Sequence, residues 1–315
     1  MGKYCARVRR KSEISRLRVI ASSHILAVRT TQDRFTGRKR ITAFMESAQL
    51  IASGLGLIVG FILSLTGAGG AILSVPLLVF GLHLTVSQAA PIGLLAVCVS
   101  AGVGALLALR AGILRYRAAG FMALFGLMLS PLGLWIAARV PNKPLTMVFA
   151  FVLLYVSVRM MMGAWREFKG LHKSSRKAPP CLLNASIGRL IWTKPCARSL
   201  AIAGATAGFF SGLLGVGGGF IIVPSLRRVT DLPINAIIAT SLGVLTLVSC
   251  GSVVVAAVAG EMLWHIAVPF ATGSLGAMLV GRLFARRIPG ARIQQVFAVF
   301  ALGVSISMFF KSLSM

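Results

Sequence analysis

The chain has 315 residues, 57% of them hydrophobic and 12% charged, and its mean hydropathy is +0.88. A soluble domain is about a quarter charged, so the composition excludes an ordinary soluble protein and points to an all-α polytopic membrane protein. The net charge of +27 argues for no nucleic-acid partner, because Lys and Arg gather at the ends of apolar runs and in two polar stretches, with no binding module or base-stacking aromatic cluster among them.

Residues 1–46 hold twelve Lys or Arg, and Arg38, Lys39 and Arg40 directly precede the first apolar run. The stretch S-H-I-L-A-V is cut short by Arg29 and makes a poor signal core, and Ala6 stands where a myristoylation signal needs Ser or Thr. This part reads as a basic cytoplasmic extension, disordered or lying on the surface. A spanning helix needs about 20 apolar residues. Runs near 48–66, 88–109, 118–138, 145–163, 199–214, 234–259, 264–281 and 293–310 give about eight spans. Two shorter apolar pieces, 71–84 and 220–226, each follow a glycine cluster and contain a proline. Pieces this short read as half-helices or re-entrant segments.

The chain repeats itself at an offset of 148 residues. G-F-I-L-S-L-T-G-A-G-G-A-I-L-S-V-P-L-L (60–78) lies over G-F-F-S-G-L-L-G-V-G-G-G-F-I-I-V-P-S-L (208–226). This divides the chain into the extension (1–46), a first membrane repeat (47–163), a polar linker (164–198) and a second repeat (199–315). Duplication of this kind is a habit of secondary transporters. With eight spans and both termini cytoplasmic, 25 of the 33 Lys and Arg fall inside, and an even number of spans per half makes the repeats parallel; if each short proline piece crossed fully, five spans per half would make them inverted and turn the basic linker to the wrong side.

Five cysteines show no C-x-x-C and no spacing suited to a disulfide framework or a zinc site; Cys98 and Cys250, inside apolar runs, read as small packed hydrophobes. The histidines at 24, 83, 172 and 265 form no metal pair. No metal or cofactor is expected, and nothing resembles enzyme chemistry.

The glycine clusters carry the functional signal. In hydrocarbon every backbone N–H and C=O needs a partner, so a broken helix is tolerated only inside protein or beside water. Glycines at a break let amides at the start of the next half-helix converge on one spot, where the helix dipole favours an anion and no Cβ keeps it away. Gly67, Gly69 and Gly70 in the first half, and Gly215, Gly217, Gly218 and Gly219 in the second, are the substrate-binding candidates. Pro76 and Pro224 are expected to bend or end the half-helices. The rows Gly56, Gly60, Ser64 and Gly204, Gly208, Gly212 keep helical spacing and read as helix-packing faces.

The pattern G-x-x-x-S/G-x-x-G-x-G-G-x-x-x-x-V-P-x-L, present twice and each time followed by a small-residue helix, resembles the sulfite exporter TauE/SafE family of membrane transporters over about residues 50–310. The resemblance implies a permease for small sulfur-containing or organic anions such as sulfite or sulfonates, built from two related halves. The first half departs from the fuller pattern, with Ala71 opposite Gly219 and P-I-G (91–93) opposite A-T-S (239–241). Thr240 and Ser241 are the side-chain candidates, as neutral hydroxyl donors that otherwise bond within their own helix. The sequence thus reads as an inner-membrane, multi-pass carrier whose partners are a small anion and the lipid bilayer, with homo-oligomerisation left open. Two other classes compete: an intramembrane enzyme acting on lipid phosphates, which would want paired acidic or histidine groups at the membrane face, and a channel or non-transporting subunit.

Overall fold

The computed structural model describes residues 46–66, 70–168, 181, 183–184, 189–190, 193–260, 262–285 and 290–314. The chain separates into residues 1–48 and residues 49–315, and the fold is that of the second unit. In chain order the helices are α1 (Glu46–Thr66), α2 (Gly70–Gly81), α3 (Val86–Arg110), α4 (Tyr116–Arg139), α5 (Asn142–Phe168), α6 (Lys194–Leu214), α7 (Gly219–Val229), α8 (Ile234–Val258), α9 (Trp264–Ala285) and α10 (Gly290–Ser314). The linker adds a two-stranded antiparallel ladder, Leu183–Asn184 against Arg189–Leu190.

Among the described residues seven helices, α1, α3, α4, α5, α6, α8 and α9, are long and apolar enough to cross a membrane, and α10 carries an apolar stretch at Ala298–Phe310. Shifted by 148 residues, α1 falls on α6 and α3 on α8 at both ends. Local chemistry sets several of these ends. Thr85 and Gln88 form a reciprocal capping box before α3, and Thr193 caps α6 with Pro195 in its first turn.

The order of close approaches gives the direction of each helix. Cys98 meets Cys250, Gly102 meets Thr246 and Gly104 meets Leu242, so α3 and α8 run antiparallel. They are repeat-equivalents, so the two halves are inverted. This corrects the parallel arrangement expected from an even span count. Each half holds five segments, because α2 turns back along α1 (Gly70 beside Leu63, Gly81 beside Leu55) and α3 starts where α1 started. The α6–α7 hairpin does the same: Thr230, after α7, bridges Cys181, which is disulfide-bonded to Cys196 at the start of α6. The start of α1 and the end of α10 therefore share one end of the bundle, while α5 finishes and α6 begins at the other.

The cysteines also depart from expectation. Cys98–Cys250 joins α3 to α8 across the pseudo-two-fold axis, and Cys181–Cys196 ties the linker to α6. Separations of 152 and 15 residues carry no motif, and only the inverted packing of α3 on α8 brings the first pair together.

Helix contacts within this unit rest on glycine. Gly204, Gly208 and Gly212 of α6 lie on the backbone of Met122, Gly126 and Ser130 of α4, and the equivalent Gly56 and Gly60 of α1 lie on Phe270 and Ser274 of α9. Lipid tails are as apolar as Leu, so membrane helices associate through such close backbone packing and through interhelical hydrogen bonds. The latter include Ser100 with Ser274 at 2.8 Å between α3 and α9, and Ser130 with Ser252 between α4 and α8. Exposed Tyr116 and Trp165 stand towards one end of the bundle and exposed Trp135 and Trp264 towards the other, the positions of aromatic belts.

Gly208→Ala and Gly60→Ala would each drive a methyl into a facing backbone carbonyl, an overpacking at the upper end of about 1–3 kcal/mol. Thermal melts in detergent should show both variants strongly destabilised, while Gly54→Ala and Gly276→Ala, where a Cβ meets nothing within 4 Å, keep the parent's melting temperature or exceed it.

Candidate functional site

The α6–α7 break is a tight left-handed turn. Gly215 caps α6 with φ 69°, its amide donating to the Ser211 carbonyl at 2.9 Å. Gly217 and Gly218 follow with φ of 72° and 70°, values that a side chain would strain by about 1–2 kcal/mol each. Packing forbids side chains here as well. A Cβ on Gly217 would lie 2.7 Å from Leu245 Cδ2, 3.1 Å from Ser249 Oγ and 3.2 Å from Val97 Cγ1, and one on Gly218 would strike the Ala207 carbonyl. Val97 lies next to Cys98, the middle residue of α3, and Leu245 next to Thr246, the middle residue of α8. The turn therefore sits at mid-depth in the bundle, at the junction of the halves. Gly215 also lies beside Ala90 and Gly93 of α3.

Donors without acceptors distinguish this spot. Gly218 accepts from Ile221 and Ile222, while among the described residues the amides of Val216, Gly217 and Gly218 make no hydrogen bond, and all three residues are buried, as are Gly219 and Phe220 after them. A buried unpaired donor costs about 1–3 kcal/mol, so three together approach the roughly 5–15 kcal/mol stability of a whole domain. Such a cluster requires a partner, either water or an acceptor-rich ligand. Its groups are neutral, and the positive end of α7 points into it.

The sequence candidates divide as follows. Gly215, Gly217, Gly218 and Gly219 form this turn. Gly67 and Gly69 lie outside the described residues. Gly70 opens α2, buried against Ile62 and Leu63, and its amide donates to Thr66 Oγ1 at 3.1 Å. Thr240 and Ser241 are fully buried in the first turns of α8, and their hydroxyls donate to their own helix: Thr240 to the Ala236 carbonyl at 2.7 Å, Ser241 to that of Ile238 at 2.8 Å. Thr240 also accepts the Arg115 amide. It stands nine residues before Ser249, ~13 Å along the axis, so it is not brought to the glycine turn. Pro76 and Pro224 lie inside α2 and α7, which continue to Gly81 and Val229, so neither proline ends its helix. One missing N–H removes one ladder bond, and tight packing of both short helices holds the remaining turn.

Sequence reading missed Ser211 and Ser249. Both are fully buried, and neither hydroxyl has a hydrogen-bond partner. The available signal was the polar S-C-G-S (249–252) in the middle of a long apolar span, where polar residues are expensive and tend to be functional.

An inverted pair of five-helix halves, with a glycine-broken hairpin meeting the junction at mid-depth, is the architecture of many polytopic membrane transporters. The comparisons agree. The family model described as Sulfite exporter TauE/SafE matches residues 52–308, and the chain belongs to that family. It is 32% identical over 273 residues, 84% of this chain and 95% of the relative, to a "Probable membrane transporter protein" of Xylella fastidiosa (strain 9a5c). It is 30% identical over 269 residues, 84% of this chain and 95% of the relative, to a protein of the same description from strain Temecula1 / ATCC 700964. To the "Probable membrane transporter protein YunE" of Bacillus subtilis (strain 168) it is 22% identical over 272 residues, 82% of this chain and 96% of the relative. No solved structure matches the chain.

Gly217→Ala combines a strained φ of 72° with a clash inside the turn, whereas Gly112→Ala carries a similar φ of 70° in open space. In reconstituted vesicles the first should lose at least about nine-tenths of transport and the second should keep most of it, the shared ~1–2 kcal/mol of backbone strain being too small to unfold the protein.

Proposed function

We propose that this transporter is a secondary carrier of small anions, sulfur-containing ones such as sulfite or sulfonates, working by alternating access in the cell inner membrane. The observation that supports the reading is the run of three buried amides without acceptors, Val216, Gly217 and Gly218, directly before α7. An oxyanion offers several lone pairs to converging donors, and the α7 dipole favours its charge. The family's description supplies the sulfur chemistry. Val97 and Ala90 of the first half and Leu245 of the second seal the turn, so access requires the halves to move relative to each other. The α3–α8 crossing, pinned on the axis by Cys98–Cys250, serves as the pivot about which they rock.

The purified protein in liposomes, given labelled sulfite, sulfate or a small sulfonate with and without an imposed pH gradient, should show saturable flux of at least one of them. Linear, non-saturating flux would indicate a channel, and no flux of any of the three would overturn the anion reading.

Orientation follows from charge on the fold. Among the described residues of α3–α10 and their turns, Arg110, Arg115, Arg117, Arg159, Arg166, Lys194, Arg198, Arg227, Arg228, Arg282 and Arg292 lie towards the end where α5 finishes and α6 begins, against Arg139, Lys143 and Lys311 at the other. The positive-inside bias of these helices supports a cytoplasmic α5–α6 end, with the start of α1 and the end of α10 outside, whereas the basic extension supports the opposite orientation. Exposed Ala111 and Ala259 sit in repeat-equivalent turns at opposite ends. With Ala259→Cys, an impermeant maleimide should label intact cells above the parent's background; with Ala111→Cys, only permeabilised ones. The reverse pattern would put both termini inside.

A further inference from the structure

The geometry points to Ser211 and Ser249 as side-chain donors that complete the oxyanion site at the α6–α7 turn, an inference that rests on the anion reading and adds its side-chain half. Ser249 Oγ faces Gly217 directly, 3.1 Å from where a Cβ on that glycine would stand. Ser211 lies one helical turn beyond Ala207, whose carbonyl is what a Cβ on Gly218 would strike, so it is on the face of α6 turned towards the start of α7. Both side chains are fully buried, and both hydroxyls lack any hydrogen-bond partner. That sets them apart from the bundle's other buried Ser and Thr. Thr240, Ser241, Ser252 and Ser274 all donate to a carbonyl in their own helix, the cheap way to satisfy a membrane hydroxyl.

The inverted repeat supplies an internal control. The positions equivalent to Ser211 and Ser249 in the first half are Leu63 and Ala101, both buried in the hydrophobic core. The fold therefore accepts apolar residues at these two places, and the hydroxyls answer a need other than packing. Two hydroxyls and several amides converging without any charged group suit a ligand whose oxygens all accept and that has at least three of them, such as sulfite, sulfate or a sulfonate. A carboxylate, with two oxygens, would leave donors unpaired, which is the strongest basis for rejecting an analogue.

The test compares the parent with Ser249→Ala and Ser211→Ala, the purified full chain being melted in detergent with and without sulfite, sulfate or methanesulfonate, and assayed for flux in liposomes. Loss of one hydrogen bond to an anion should raise KM about tenfold for each variant and shrink the anion-dependent rise in melting temperature. Without anion, both variants should melt at or above the parent's temperature, because alanine removes an unpaired buried hydroxyl; a purely structural serine would instead give a lower melting temperature. Parent-like KM and anion-dependent melting shifts in both alanine variants would overturn the serine assignment and leave the anion reading standing. A parent that neither transports nor is stabilised by any of the three anions would overturn both.

Discussion

The antiparallel crossing of α3 on its own repeat-equivalent α8 is the constraint from which the rest of the architecture follows. Two copies of a unit can cross in opposite directions only if each unit has an odd number of passes. Five segments per half meet that condition, and the fifth is supplied by the short helices α2 and α7. Each must double back beside a longer partner, which requires a turn within the bundle instead of at its surface. The glycines at Gly215, Gly217 and Gly218 make that turn possible, since three left-handed residues in four cannot carry side chains in so tight a space. The site is thus a by-product of the inversion: reversing a chain at mid-depth exposes amides that no helix can satisfy.

The same inversion places α4 on α6 and α1 on α9, each running parallel to its partner with backbones nearly in contact. Glycine has opposite duties in these two settings. On α6, Gly204, Gly208 and Gly212 bring carbonyls together and leave no room for a ligand. A few residues later the glycines hold amides apart from any acceptor. Spacing separates the duties: every fourth residue makes a packing face, and closer irregular spacing makes a turn.

The two halves are alike in backbone and unlike in chemistry. Leu63 and Ala101 stand where Ser211 and Ser249 stand, and Ala71 where Gly219 stands. The exchange runs both ways, since Thr66 and Ser74 of the first hairpin stand opposite Leu214 and Ile222 of the second.

The sequence by itself determined the class, the long spans, the 148-residue repeat and the glycine turn, because hydrophobic length, repetition and conformational freedom are properties of contiguous residues. Tertiary structure alone decided the inversion, since a repeat reads the same in sequence whether its copies run up or down. It also decided the pairing of Cys98 with Cys250, whose partners lie 152 residues apart with no motif to join them. The serines divide the same way: a hydroxyl's worth depends on what lies across from it. Thr240 and Ser241, chosen from their place in the motif, have carbonyls within bonding distance in their own helix, while Ser211 and Ser249 do not, and only the packing of α6 and α8 around the turn tells these cases apart.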